Sequence, residues 1–188
     1  GNVWEVEASA RNGLGNFEVA IRYPVNQDPP GVTLNPAGTP VWIYGDGYRF
    51  ELDYTAATGT VTFKVDFDRN GAFEMAGTFG SEIATLNIPA LAGFGFRYVG
   101  LHLEGSPNGE TVDNFLTLNG VGFGSGTSGT GAVDSFFTDS VGAFADIVVT
   151  GNFVFFGDGG SEDVPRIAFQ LGAVVPVPFP ASALLLGT

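Results

Sequence analysis

The sequence predicts an all-β fold: an antiparallel β-sandwich, jelly-roll-like, with an extended C-terminal strand. Apolar and polar residues alternate with a period of two along several runs, the pattern of a strand with one buried and one wet face. The 29 Gly and 11 Pro separate these runs at short intervals, as turns do in sandwiches. No stretch of twelve or more residues shows helical spacing free of Gly. An immunoglobulin-type topology stays open, although the chain lacks a Cys-Trp-Cys framework.

The clearest predicted elements are two strands with apolar residues at 48, 50, 52 and 54 and at 61, 63, 65 and 67. Ala56 to Gly59 is a short turn between them, so the two runs are expected to pair as an antiparallel hairpin. Asp68 to Gly71 predicts a second tight turn, leading to a strand at 73–75. Further strands are predicted at 3–8, 17–23, 41–44, 94–103, 112–118, 133–138, 144–156 and 164–171.

Two stretches have the composition of loops, Pro24 to Pro40 and Gly120 to Gly131. The second separates two sheets or acts as a linker. The length of the chain, its 44% hydrophobic content and its 18 Phe fit one domain with a sizeable core. We expect this sandwich domain to span 1–173 and a Pro-rich tail to follow at 174–188.

The charge balance excludes some classes of partner. Twenty acidic and seven basic residues give a formal net charge of -13. Such a chain has too few cations to neutralise several phosphates, which argues against nucleic acid and against anionic membrane surfaces. Cys is absent, which excludes disulfides and thiol chemistry.

One segment has the spacing of half a Ca²⁺ loop. Asp66, Asp68 and Asn70 place oxygen ligands at alternate positions before Gly71. With Asp66 as position 1, Gly77 occupies position 12, where a bidentate Glu would complete the Ca²⁺ coordination. The missing ligand favours a plain Asn-Gly hairpin turn with exposed Asp side chains. No cofactor is therefore expected, and Ca²⁺ is the alternative; the acidic stretch 157–163 is interpreted in the same way.

Other candidate residues point to no catalytic site. The single histidine, His102, lies between two Leu and is expected on the polar face of a strand. Trp4 and Trp42 are expected in the core, with stacking on sugars as the alternative. The strand around Asp113 and Asn114 is similar to strands of sandwich domains that bind carbohydrate. The hydroxyls of Ser125, Thr127, Ser128 and Thr130 are candidate sites of O-glycosylation.

The tail has the pattern of a one-sided strand. Its apolar odd positions include Val175, Val177, Phe179, Ala181, Ala183 and Leu185, whereas Pro occupies 176, 178 and 180. Successive N–H groups of a strand point to opposite edges, so these prolines remove donors from one edge only. The other edge can add to a sheet, and we expect these six odd residues to connect one subunit to the next.

The segment Val177-Pro178-Phe179-Pro180-Ala181 resembles the Pro-rich motif of bacterial exosortase substrates, the PEP-CTERM class in its Val-Pro-Leu-Pro-Ala variant. The resemblance covers about fifteen residues and implies a secreted protein of the bacterial cell surface. Residues 181–186 are too few for a membrane span, which needs about 20 apolar residues. Gly1 and the lack of a leader before Trp4 are expected after removal of a secretory signal.

Together these observations predict a non-enzymatic, secreted structural subunit that associates head-to-tail with other copies of itself into filaments. The alternative is a surface-anchored, carbohydrate-binding β-sandwich module. A hydrolase that uses two carboxylates is a third class, for which the sequence offers no spacing rule.

Overall fold

A computed structural model describes residues 4–12, 17–34, 42–76, 80–105, 109–122, 127–128, 131–138, 143–157 and 165–177. These residues form strands and one short 3₁₀ turn, Pro89–Leu91. The strands are β1 Trp4–Asn12, β2 Phe17–Arg22, β3 Val32–Leu34, β4 Gly47–Thr55, β5 Thr60–Val65, β6 Ile83–Asn87, β7 Phe94–Gly105, β8 Gly109–Leu118, β9 Val121–Gly122, β10 Thr127–Ser128, β11 Gly131–Thr138, β12 Ile147–Gly157 and β13 Arg166–Pro176. Across the described ranges, no helix is long and apolar enough to cross a membrane.

The strands form two antiparallel sheets packed face to face, which confirms the predicted sandwich. The first sheet has the order β11-β7-β13-β1-β2-β3, and the second has the order β10-β8-β12-β4-β5-β6, with β9 paired to β8. Neighbours within a sheet come from distant parts of the chain, since β13 lies between β7 and β1 and β12 pairs with β4. This interleaving is jelly-roll-like.

Alternation along the strands builds the core. In β4 the even residues, such as Phe50 and Leu52, are buried, while the odd ones face outward. Phe169 of the first sheet meets Phe50 of the second with ring centroids 4.9 Å apart. Trp42 is buried among four aromatic rings and donates its Nε1–H to the carbonyl of Arg11 at 2.9 Å. The expectation that Trp42 serves the core is confirmed.

Two predicted strands are wrong, and four strands of the described residues were not predicted. Residues 42–46 turn, because Asp46 N donates to the carbonyl of Ile43 and Ile43 N donates to the Tyr48 hydroxyl. Residues 73–75 form no strand either, since Glu74 N donates to a Glu82 carboxylate oxygen. The unpredicted strands are β3, β6, β9 and β10. Strand β3 lies inside the first stretch interpreted as a loop, and β9 and β10 lie inside the second, where both pair with β8.

The start of the tail belongs to the sandwich. Strand β13 continues to Pro176 and pairs Val175 with Gly95, and Val177 N donates to the carbonyl of Gly93 at 3.0 Å. The predicted boundary between 173 and 174 therefore falls inside a strand. Pairing does use the odd residues, as the proline pattern predicts, but the partner of Val175 and Val177 is β7 of the same chain. Phe179, Ala181, Ala183 and Leu185 lie outside the described residues.

Candidate functional site

Three carboxylates meet where β5 and β6 diverge. Strand β5 ends at Val65, whose N–H donates to the carbonyl of Glu82 at 3.0 Å, and Asp66 N donates to the carbonyl of Arg49 at 3.0 Å. Asp66, Asp68 and Glu82 each bring one oxygen to within 4.8 Å of the others. The structure thus unites two of the predicted ligands with Glu82, which sequence reasoning missed.

The predicted Asn-Gly turn is present and shapes the loop. Asp68 accepts hydrogen bonds from the backbone N–H of Asn70 at 3.1 Å and from its side-chain amide at 3.0 Å. Asn70 Oδ1 in turn accepts from Ala72 N at 2.8 Å. Gly71 has φ +88°, a left-handed conformation that favours glycine. The Asn70 side chain therefore organises the turn.

Burial of the carboxylates departs from the predicted exposed turn. Asp66 is 3% exposed; its Oδ2 accepts a hydrogen bond from Gly71 N at 2.9 Å, whereas its Oδ1 is buried with no hydrogen-bond partner. Glu82 is 1% exposed and accepts from the backbone N–H of Phe67, Asp68 and Glu74. Burial raises the pKa of Glu82, and the nearby Asp66 charge adds to the rise, against the lowering effect of those three N–H groups.

A half-open cleft lies next to this loop on the outer face of the second sheet. It encloses about 270 Å³ and is lined by Arg49 and Glu51 of β4, Thr150 and Asn152 of β12, and Phe73. Register places Arg49 opposite Asn152 and Glu51 opposite Thr150. The Arg49 guanidinium carbon stands 4.2 Å from the centroid of the Phe73 ring, so the loop that carries the carboxylates also supplies one wall of the cleft.

Charges around the cleft are partly compensated. Lys64 forms ion pairs with Glu51 and, at 2.7 Å, with Asp53. Burial raises the pKa of Glu51, but hydrogen bonding and attraction to Lys64 outweigh it, so that pKa lies below its ordinary value. Glu51 is therefore a charged hydrogen-bond acceptor at neutral pH.

The remaining predicted site residues are separate from this region of the second sheet or lie outside the described part. His102 faces outward between the buried Leu101 and Leu103, and its Nδ1 lies 2.6 Å from Asp134 of β11. Thr127 and Ser128 form β10, paired with β8, whereas Ser125 and Thr130 lie outside the described residues. Asn114 of β8 pairs with Asn152, which places its backbone beside the cleft.

Comparison with known proteins gives no family for the chain. No protein-family model matches it, and no curated protein is significantly similar to it in sequence.

Proposed function

We propose that this protein is a non-enzymatic, extracellular carbohydrate-binding β-sandwich module that binds saccharide in the cleft between β4 and β12. The observation that carries the proposal is the composition of that cleft, which combines hydrogen-bonding side chains with one aromatic ring. The extracellular location follows from the resemblance of the tail to an exosortase sorting motif.

Sugar hydroxyls are both donors and acceptors, so a saccharide site needs groups of both kinds around an apolar surface. Arg49 supplies donors, Glu51 supplies an acceptor, and Asn152 and Thr150 supply both. Phe73 adds an apolar ring to the lining. The Arg49 guanidinium covers one face of that ring, so a sugar C–H face would pack against the remaining part. The volume of about 270 Å³ lies near the lower end of small-ligand sites, roughly 300–1,000 Å³, and suits a short stretch of saccharide.

The state of the cleft carboxylate favours binding over hydrolysis. A glycosidase needs a carboxylic acid whose pKa is raised so that it can protonate the leaving oxygen. Lys64 instead keeps the pKa of Glu51 below its ordinary value, which suits a hydrogen-bond acceptor.

The test is a glycan array with the full chain, followed by calorimetry with a saccharide that binds. We expect Asn152→Ala and Phe73→Ala to weaken binding about tenfold or more each, because each removes one element of the cleft. Thr85→Ala, an exposed position elsewhere on the outer face of the second sheet, is the matched control. No binding on the array, or binding that survives Asn152→Ala unchanged, refutes the proposal.

A structural subunit that forms head-to-tail filaments is the second candidate. It is favoured by the proline spacing of the tail, which leaves one strand edge able to pair. Within the described residues, that edge pairs Val175 with Gly95 and Val177 with Gly93 of the same chain. Because Val175 and Val177 serve their own sheet, a connector would have to lie at residues 178–188. Deleting those residues leaves β13 whole and should abolish polymers in negative stain; polymers that persist rule out this role.

A further inference from the structure

We propose that Asp66, Asp68 and Glu82 form a Ca²⁺-binding site at the β5–β6 connection. The proposal is independent of saccharide binding. Glu82 supplies the acidic ligand that is missing at Gly77, and it does so from the far end of the connection. Since Lys64 pairs with Ile83, the antiparallel register brings Glu82 back beside Val65 and Asp66.

The described residues place no cationic side chain against the cluster. One oxygen from each of the three carboxylates lies within 4.8 Å of the others. Among the residues that the structure describes, no Lys, Arg or His forms an ion pair with any of them. Arg69, which lies within the same turn, pairs instead with Asp46. Like charges held this close disfavour the metal-free state, and a divalent cation removes the repulsion.

The buried oxygen of Asp66 points independently to a ligand. Asp66 is 3% exposed, and its Oδ1 has no hydrogen-bond partner although its Oδ2 accepts from Gly71 N. A buried polar atom without a partner is rare and costly, and an ionised one more so. A cation bound at this oxygen supplies the missing interaction.

The donor set selects a hard cation. All three ligands are carboxylates, the chain contains no Cys, and its single His lies on β7 in the first sheet. Ca²⁺ accepts several carboxylate oxygens in a flexible geometry, whereas Mg²⁺ demands near-ideal octahedral geometry and usually keeps several waters. Three protein carboxylates with oxygens within 4.8 Å of one another therefore suit Ca²⁺ better than Mg²⁺.

The loop is shaped by hydrogen bonds within the protein. Gly71 occupies the sixth position from Asp66 with φ +88°, as the sharp turn of a Ca²⁺ loop demands. Three backbone N–H groups hold the Glu82 carboxylate, and the Asn70 amide holds Asp68. Since these contacts order the ligands in advance, binding loses little conformational entropy.

The experiment uses the full chain, stripped with a chelator, and Ca²⁺ alone as the probe. At Ca²⁺ about a hundredfold above Kd, linkage predicts a rise of roughly 5–10 °C in Tm. Asp66→Asn and Glu82→Gln should abolish the rise, and Asp68→Asn should reduce it. Asp28→Asn, which removes an exposed carboxylate at another loop, is the matched control and should respond as the parent does.

Terbium luminescence gives a second readout that needs no variant. Trp42 is close to the loop, with its ring centroid 6.0 Å from that of Phe67, so it can sensitise Tb³⁺ bound at the site. We expect one equivalent of Tb³⁺ to saturate the signal and Ca²⁺ to displace it better than Mg²⁺. A parent Tm that Ca²⁺ leaves unchanged, or an unaltered rise in both Asp66→Asn and Asp68→Asn, overturns the proposal even if Glu82→Gln does not fold.

Discussion

Each sheet has a cluster of buried carboxylates, and the two clusters differ in the groups that bind them. On the first sheet, Glu7 is 3% exposed and is bound by Arg166, by Gln170 at 3.1 Å and by Arg22 at 3.6 Å. On the second sheet, Asp66 and Glu82 are equally buried, and their hydrogen bonds come from backbone N–H groups.

The difference shows which buried charge the fold balances and which it leaves to a ligand. Side chains from the two strands that flank β1 place cationic and amide groups around Glu7, so its charge is balanced within the protein. The carboxylates at the β5–β6 connection gather without a counter-charge among the described residues. A cation from solution can offset the burial of these carboxylates.

The largest effect should come from removing the central carboxylate of the balanced cluster. Glu7→Ala leaves Arg22 and Arg166 close together without their shared acceptor, and breaking a buried pair costs about 3–5 kcal/mol. Urea unfolding measures the loss. Glu18→Ala, at a more exposed partner of Arg22, is the control and should cost about 1 kcal/mol or less. Equal losses for both variants would contradict the claim that burial makes Glu7 the central acceptor of this cluster.

A buried polar group without charge provides the next contrast. Tyr54 is buried, and its hydroxyl lies 2.6 Å from the carbonyl of Phe94 and 3.0 Å from that of Leu91. Burial raises its pKa from 10.0 to about 12, with the Asp146 charge adding to the rise. Between these values the unfolded chain releases the phenolic proton while the folded chain keeps it, so the stabilisation is complete below pH 10 and lost towards pH 12.

Comparison with Tyr54→Phe isolates this effect from other groups. The stability difference between parent and variant should shrink by on the order of 2 kcal/mol as the pH rises across that window. Urea unfolding of both proteins at about pH 8 and about pH 12 measures it. A difference that does not change with pH would mean that the phenol ionises equally in both states.

At the carboxylates of the β5–β6 connection, the effect of Asp66→Asn on stability should change sign when Ca²⁺ is added. In chelator, Asp66→Asn replaces one buried carboxylate oxygen by an amide NH2 and removes one of three like charges, which should stabilise the fold by about 1 kcal/mol. In saturating Ca²⁺, the same variant loses a ligand and should be less stable than the parent by about 1–2 kcal/mol. Paired melting curves with and without Ca²⁺ measure both. A variant that is less stable in both conditions would show that the carboxylate only supports the turn.

The parts of the fold that could be predicted are those with a local signal. Phe50 and Leu52, and Val61 and Phe63, alternate with polar residues, so β4, β5 and the turn between them follow from period two. Strand β3 has three residues inside a Pro-rich stretch, too few to show a period. In the tail, the proline spacing likewise predicts which edge of the strand can pair. The strand that it pairs with, β7, lies about eighty residues earlier in the chain, so the local pattern could not identify it.

The same limit applies to the site. Asp66 and Asp68 were found because ligands two residues apart leave a visible pattern, whereas Glu82 is joined to them only by the register of β5 with β6. That register is a usable signal: once Lys64 is paired with Ile83, the preceding Glu82 must lie beside Val65. The cleft offered no comparable signal, since Arg49 and Asn152 meet through a pairing between strands a hundred residues apart.

The smallest loss of stability is expected at a third set of charges, in which acidic side chains are paired with a lysine but remain partly exposed to solvent. Lys64 bridges Glu51 and Asp53 on the outer face of the second sheet, where these side chains are 22–28% exposed. Lys64→Met leaves the two carboxylates to repel each other, and water screens most of the cost, so we expect a loss of about 1 kcal/mol or less. The loss should fall further in about 1 M salt, where the screening length is roughly 3 Å.

Urea unfolding at low and high salt measures this, with Thr85→Val as an uncharged control on the same face. A loss as large as that of Glu7→Ala would show that exposure matters less than the number of partners. A small, salt-sensitive loss would instead show that the three clusters follow one rule: the more buried a charge is, the more stability is lost when its counter-charge is missing. By that rule the carboxylates of Asp66 and Glu82, as buried as Glu7, have the strongest requirement for a cation.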